Sequence, residues 1–463
     1  MSIISNFKKL AKNDLRKKAL QIAEAGYEAI EIKRVVSRKV KVSREKTKEE
    51  FLIINTHNKK EKIDLNNYKK IFLVGIGKGS ALASVTLAKI LGKKLNGGIA
   101  LDIQKPKLKI ENYKLKILTG THPLPSQQNV NATQKIIKLA KSLGKDDLLI
   151  TLICGGGSSL MCGSEKELKA SQTVFKELTK AGANIMELNT VRKHLSEVKG
   201  GGLAKLAYPA TVLSLVISDV CGNDLSFVSS GPTVFDKTTK KDAEKILKKY
   251  FNVRTSDVSR TSDVPKLIRV LTETPKDKKY FKKVKNILFV CNQDAVMAML
   301  EKAIKLGFSA KIYSLALEGE AMNALLPIVK MVKQKQAIIA AGETTVNLKN
   351  RPKGKGGRNT EAVLGAVAQI QNSIRQPADQ ILNNLVFISF TSDGRDNTEA
   401  AGAIADELTL RKAKKLKMSP IEFLKQNKSF AFFDKTGDLI YAKKRCFNVA
   451  DLMFVLSLLN EQH

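Results

Sequence analysis

The chain reads as an α/β protein of two domains. Short apolar runs alternate with helical patterns from Ile71 to Thr391, which implies strands crossing over through helices. Each of the singled-out loops leaves a strand end as a Gly- or Asp-rich turn, the place where such sheets hold ligands. At 463 residues the chain exceeds one ordinary core. A larger N-terminal Rossmann-like domain is expected over 1–255, its mostly parallel sheet covered by helices on both faces. A linker region follows over 256–284, then a smaller C-terminal α/β domain over 285–463, whose last helix packs back on the first domain.

The elements follow in order. Leu10, Leu15, Leu20, Ile22, Ala25 and Ile30 recur near helical spacing and predict one long helix over 6–38. Two short strands follow, at Phe51–Asn55 and Lys62–Leu65. Ile71–Val74, Gly98–Asp102, Leu115–Thr119, Leu148–Ile153 and Thr211–Ile217 read as strands, with helices over 165–181 and 188–206. The Lys-rich stretch 236–284, with Pro265 and Pro275, reads as a helix and then a linker. A second alternating unit starts with a strand at 286–290. It continues with helix 293–306, strand 309–315, helix 318–333, strand 336–341, helix 359–372 and strand 384–391.

Composition excludes several classes. No apolar stretch reaches membrane-span length, and the N-terminus turns charged at once, so a cytoplasmic protein is expected. The five cysteines have no CxxC spacing, which argues against structural zinc and a disulfide framework. A net charge of +36 invites a nucleic-acid reading, but the lysines spread over every helix and Trp is absent. The expectation is therefore a basic surface that draws small anions, with no nucleic-acid or membrane partner.

Six segments carry the chemistry. Gly75-Ile76-Gly77-Lys78-Gly79-Ser80 lacks the Walker spacing and is a poor dinucleotide fingerprint, since its third glycine is misplaced and the next strand ends without an acid in the usual position. Lys78 at a helix start suits an anion partner. Gly155, Gly156, Gly157, Ser158 and Ser159 follow a buried strand and read as an anion cradle. In Asn189–Gly202 a helix ends in a glycine cap, with Arg192, Ser196 and Lys199 on one face and His194 as a surface residue. Asp219 and Asp224, and Asp393 in the second unit, offer carboxylates for Mg²⁺ or a general base; Asx-turn capping is the plainer alternative. Glu343, Lys353, Gly356, Gly357, Arg358 and Asn359 bring a carboxylate, bare amides and a guanidinium to a strand-to-helix junction. No Ser/His/Asp nucleophile arrangement is evident. The inventory suits phosphoryl transfer, which works by positioning and charge neutralisation, better than hydride transfer.

These segments resemble the MOFRL-type glycerate 2-kinases. The resemblance rests on GIGKGS at 75–80, THPLP at 121–125, CGGGSS at 154–159, NTVRKHLSEVKGGGLA at 189–204 and SDVCGNDLSFVSSGPTVFD at 218–236. It continues with AGETTV and GKGGRNTE within 341–361 and SDGRDNTEAAGA at 392–403. It implies an active cleft between two α/β domains, ATP, a divalent cation such as Mg²⁺, and D-glycerate as substrate, giving 2-phosphoglycerate and ADP. A homodimer is compatible with it. Lys78 and Arg358 match the residues tied to catalysis. The chain departs from the family at Asn223, where Asp is usual, and over 442–447, where a Thr/Gly-rich stretch is usual. Two alternatives stand beside the kinase. One is an NAD(P)H-dependent hydroxypyruvate reductase, supported by the GxG turn. The other is a basic binding protein, suggested by the charge and by 442–447.

Overall fold

The computed structural model describes residues 2–44, 49–57, 59–106, 114–252, 263–348, 354–371, 384–443 and 445–458. Two compact units emerge. The Rossmann-like unit comprises Val35–Ser218 and Asn223–Phe289; the terminal unit comprises Met1–Arg34, Asp219–Gly222 and Val290–His463. The sequence pattern groups residues 1–34 with the first domain and begins the second at 285. Instead the N-terminal segment belongs with the C-terminal half of the chain. Amphipathic periodicity shows that a helix has a buried face; it does not say against which core that face packs.

In the Rossmann-like unit, β1 (Val40–Arg44), β2 (Glu50–Asn55) and β3 (Lys60–Asp64) form an antiparallel sheet. The main sheet contains β4 (Lys70–Ile76), β5 (Leu95–Asp102), β6 (Leu115–Thr119), β7 (Asp147–Ile153), β8 (Thr211–Ile217) and β9 (Val284–Val290). Their order is β6-β5-β4-β7-β8-β9, and the pairs from β6 to β8 are parallel. This is the doubly wound order, and it reverses direction between β4 and β7. The first strand expected in the second domain, 286–290, is thus β9 of this sheet. β7 is buried from Leu148 through Ile153, as a strand covered on both faces must be.

The terminal unit holds β10 (Ser309–Leu317), β11 (Gln336–Gly342), β12 (Leu385–Thr391), β13 (Gly402–Ala405), β14 (Leu439–Ile440) and β15 (Asp451–Ser457). The order is β10-β11-β15-β12-β13-β14, with β10 and β11 parallel and every other pair antiparallel. Alternation of strand and helix predicts mostly parallel pairing, which holds for the first sheet and not here. The apolar run Asp451–Ser457, to which the sequence pattern assigns no element, is a wholly buried strand inserted between β11 and β12. Residues 459–463 lie outside the described residues.

The long N-terminal helix is three pieces, Phe7–Leu10, Asp14–Ile30 and Ile32–Lys39. Asn13 interrupts it, its side chain accepting the Arg16 N–H at 2.7 Å as an N-cap. Arg16 is fully buried and is held by Asp406 and Asp438 of the same unit, at 2.5 and 2.7 Å. A helix over 318–333 shrinks to Leu326–Met331, started by Pro327. The Lys-rich stretch 236–284 contains helices Lys240–Asn252 and Asp263–Val270; residues 253–262 fall outside the described residues.

Candidate active site

The β4 loop is built on two glycines in the left-handed region, Gly77 at φ +107° and Gly79 at φ +82°. A Cβ on Gly77 would sit 2.3 Å from the Cys154 carbonyl oxygen, so glycine lets the β4 and β7 loops meet. They are tied by Lys78 N–H to the Gly155 carbonyl at 2.9 Å and Cys154 N–H to the Ile76 carbonyl at 2.8 Å. The junction lies at the switch point of the sheet, where open α/β sheets form a ligand crevice.

The start of helix Ser80–Leu91 is already occupied by the protein itself. Ala81 N–H donates to Asp102 Oδ2 at 3.0 Å, and Gly77 N–H to the Leu101 carbonyl at 3.1 Å. The Ser80 hydroxyl donates to the same carbonyl at 3.1 Å. Asp102 is the last residue of β5, and its carboxylate is turned onto this helix start. Burial raises its pKa, against the backbone N–H groups of Ala81, Ile103, Gly79 and Gln104. The polar groups of Gly77, Gly79 and Ser80 therefore bond inward, and Lys78 is what the loop presents.

The β7 loop behaves differently. The N–H groups of Gly155, Gly156, Gly157 and Ser158 have no hydrogen-bond partner among the described residues. Ser229, Ser230 and Gly231 run beside this loop at φ +52°, +58° and +57°, a left-handed stretch that is strained at the two serines. Ser229 Oγ donates to the Cys154 carbonyl at 2.6 Å, and Ser230 Oγ donates to Asn189 Oδ1 at 3.1 Å. Ser158 Oγ lies 2.8 Å from Ser230 Oγ and, since the Ser230 proton goes to Asn189, donates in that pair. The Ser159 hydroxyl has no partner among the described residues.

Basic groups gather here. A Cβ on Gly156 would lie 3.2 Å from Lys78 Cγ and 3.3 Å from the His122 ring, so stem and ring flank this glycine. Desolvation, then the charges of Lys78 and Arg192, lower the His122 pKa to about 4. Arg192 stands 5.2 Å over the Phe175 ring and lines a pocket with Ser158, Ser159, Met161 and Pro123. Desolvation alone lowers its pKa to about 10. Lys78 and Arg192 are both half-buried and have no ion-pair partner among the described residues. In the sequence His122 stands out only as part of a motif; its place beside Lys78 depends on the turn after β6.

The expected shared face of Arg192, Ser196 and Lys199 does not form, because the helix Ile185–His194 stops before the last two. Ser196 Oγ accepts the Val198 N–H at 3.3 Å, and buried Lys199 pairs with Glu167 at 2.5 Å. His194 is fully buried rather than on the surface, and it contacts the Thr190 carbonyl at 2.9 Å and Glu273 at 3.2 Å.

The three candidate metal acids differ. Asp224 is exposed and accepts the Ser226 N–H at 2.8 Å, an Asx turn. Asp219 is half-buried and makes an interaction of its own. In the terminal unit, Asp393 Oδ1 takes the Arg395 N–H at 3.1 Å and the Thr391 hydroxyl at 3.2 Å, leaving Oδ2 without a partner among the described residues.

The loop before helix Arg358–Gln371 is a second arrangement in the terminal unit. The register Gly342↔Asp451↔Thr391 puts the ends of β11 and β12 on one edge with the start of β15. Arg358 bridges this edge, Nη1 to Glu343 at 2.6 Å and Nε to Asp451 at 2.5 Å. Burial works against its charge, but Asp451 and Glu343 raise its pKa above the ordinary value. Burial pushes Asp451 up to about 7 in spite of Arg358 and the Asn359 hydrogen bond. Asn359 is buried and satisfied by Asp396, Asp451 and Ser389, so it supports the site rather than facing a ligand. Asp396 accepts the Asn359 and Thr360 N–H groups at 3.1 and 2.9 Å and fills the helix terminus where the sequence suggests an external anion.

The glycines of this loop serve packing. A Cβ on Gly357 would meet the Asp396 carbonyl oxygen at 2.1 Å, and one on Gly356 the Ser429 hydroxyl at 2.3 Å. Lys353 lies outside the described residues. Of the segment 442–447, Lys443 and Phe447 are tied to the N-terminal segment: Lys443 N–H donates to the Ile3 carbonyl at 2.9 Å and Phe447 N–H to the Ile30 carbonyl at 3.1 Å.

A doubly wound sheet, bare amides at its switch point and unpaired cations beside them define an α/β anion-binding protein of the kind that handles phosphorylated or carboxylated small molecules. Residues 18–269 match a domain family described as a domain of unknown function, DUF4147, and residues 336–451 match the MOFRL family. A D-glycerate 2-kinase of Thermotoga maritima is 33% identical over 413 residues, covering 86% of this chain and 93% of that protein. A glycerate 2-kinase of Pyrococcus horikoshii is 30% identical, with 96% and 97% covered. A relative from Agrobacterium vitis, 33% identical over 74% of this chain and 77% of its own, carries a provisional hydroxypyruvate reductase name. The crystal structure of a Thermotoga maritima glycerate kinase superposes with a TM-score of 0.77 at 30% identity, covering 95% of this chain and 99% of that one. The chain belongs to the MOFRL-type glycerate 2-kinase family.

Proposed function

We propose that the protein phosphorylates D-glycerate to 2-phosphoglycerate, with ATP as donor and a divalent cation, Mg²⁺ by its preference for carboxylate oxygens. The observation that carries this reading is the pairing of N–H groups at Gly155–Ser158 with the cations Lys78 and Arg192, none of which has a hydrogen-bond acceptor or ion-pair partner, respectively, among the described residues. Such a set binds and neutralises a multiply charged phosphate. ATP supplies the phosphoryl group. Lys78 and Arg358 neutralise charge on it as it transfers, and Arg192 with the Ser159 hydroxyl orients an anionic end of the ligands. Asp393, with one free carboxylate oxygen, and Asp219 would hold the cation, and Asp219 takes the acceptor hydroxyl proton. Related kinases align along most of the chain, and the loop supports are those of a phosphate cradle rather than an open dinucleotide turn, since Asp102 closes the helix start after β4.

The deciding experiment is an ATP-dependent assay with D-glycerate that resolves 2- from 3-phosphoglycerate. Formation of the 2-phosphate is expected. Absence of ATP turnover, or NADH oxidation with hydroxypyruvate, would sink the kinase reading.

A further inference from the structure

The start of β15 carries a buried acid that no motif of the sequence singles out. Asp451 is fully buried, yet its Oδ2 lies 2.5 Å from Arg358 Nε and its Oδ1 accepts the Asn359 side-chain N–H at 2.9 Å. A carboxylate removed from water at a strand end is costly unless it holds a charged partner. Asp451 faces Arg358 and Asn359 from the helix Arg358–Gln371, Asp396 from the loop after β12, and the Tyr27 phenol from the N-terminal helix. Glu343 holds the other side of the guanidinium, through Nη1, and is itself exposed. Nη2 has no partner among the described residues. The buried arm thus sets the plane of the guanidinium and leaves Nη2 to face a ligand.

We propose that Asp451 is the positioning residue for Arg358: it aims the guanidinium from below and acts on turnover through it alone. This rests on the catalytic part given to Arg358 above. In its ionised form Asp451 completes the pair, and burial raises its pKa to about 7. The pair therefore weakens as pH falls below neutrality, and turnover falls with it.

The test is a kinetic cycle with the full chain, D-glycerate and ATP. Asp451→Asn keeps the side-chain shape and the Asn359 hydrogen bond. It is expected to lower kcat roughly 100-fold, the scale of a small misplacement of a catalytic group, with KM little changed. It should also abolish the acid limb of the kcat profile near pH 7. In an Arg358→Ala background, Asp451→Asn should have no further effect on kcat. Multiplying losses in the double variant, or a folded Asp451→Asn with normal kcat and an intact acid limb, overturn the proposal. Near-normal Arg358→Ala kinetics overturn the role of Arg358 itself, and this inference with it. If Asp451→Asn fails to fold, the wild-type profile decides: constant kcat from pH 5.5 to 8 rules out Asp451 as the acting group.

Discussion

The β7 loop and the loop before Arg358 share a composition, glycines after a buried strand with a cation nearby, and they differ in who occupies the polar groups. At Gly155–Ser158 the N–H groups are bare, and Lys78 and Arg192 have no ion-pair partner among the described residues. At Asn359 and Thr360 the helix terminus is filled by Asp396, and Arg358 is gripped by Glu343 and Asp451. One loop is prepared for an external anion. The other has built its own anions in and offers a single aimed guanidinium. A glycine-rich turn is therefore an anion site only where the fold leaves its donors unclaimed.

The largest effect that would break this contrast comes from Lys78. Lys78→Ala should cut turnover about 1,000-fold, the upper end for loss of one charged stabiliser, and leave thermal unfolding unchanged. Turnover within a few-fold of wild type would remove the β7 loop as the phosphate site. Next comes a pair of substitutions with opposite stability. Arg192→Met removes an unpaired half-buried charge, so the melting temperature should hold or rise while kcat/KM falls about 100-fold. Arg358→Met leaves Asp451 buried and uncompensated, so unfolding free energy should drop by about 3 kcal/mol. Equal melting shifts in both variants would erase the difference between the loops.

A smaller effect is expected at the cap. Asp396→Ala should lose about 1–2 kcal/mol in chemical denaturation, the range for a helix N-cap. No loss would mean that the terminus is open after all. The smallest concerns protons. Because His122 has its pKa depressed from 6.5 to about 4, the unfolded chain binds a proton between those values and the folded one does not. Its contribution to stability is present above pH 6.5 and is lost as pH falls through about 4. His122→Asn should flatten that part of the stability curve. An anion bound beside the ring would raise its pKa, so inorganic phosphate binding near pH 5 should take up protons, measurable by calorimetry in buffers of different ionisation enthalpy.

Much of the first sheet is legible in the sequence because its strands are short, wholly apolar and closed by Gly or Asp turns; β7 and β8 fall where their runs do. The second sheet is less so. β15 begins with an acid and goes unassigned, since a short apolar run carries no period that separates strand from helix. Lys78 and Arg192 stand out as cations in suspicious places. Asp102, Asp396 and Asp451 do not, because the meaning of a carboxylate depends on which amide or guanidinium the fold sets against it. The same holds for Gly357, whose bareness answers Asp396 rather than a ligand.

The order in which the ribosome releases this chain follows from the place of β15. All of Val35–Phe289 has emerged while nearly two fifths of the chain is still unmade, so the Rossmann-like unit can fold early. The helix Asp14–Ile30, made at the outset, must wait for partners such as Thr391 and Asp406, which come almost last. A chain stopped short of Asp451 leaves β11 and β12 with an empty lane between them, and both edges exposed to other nascent chains.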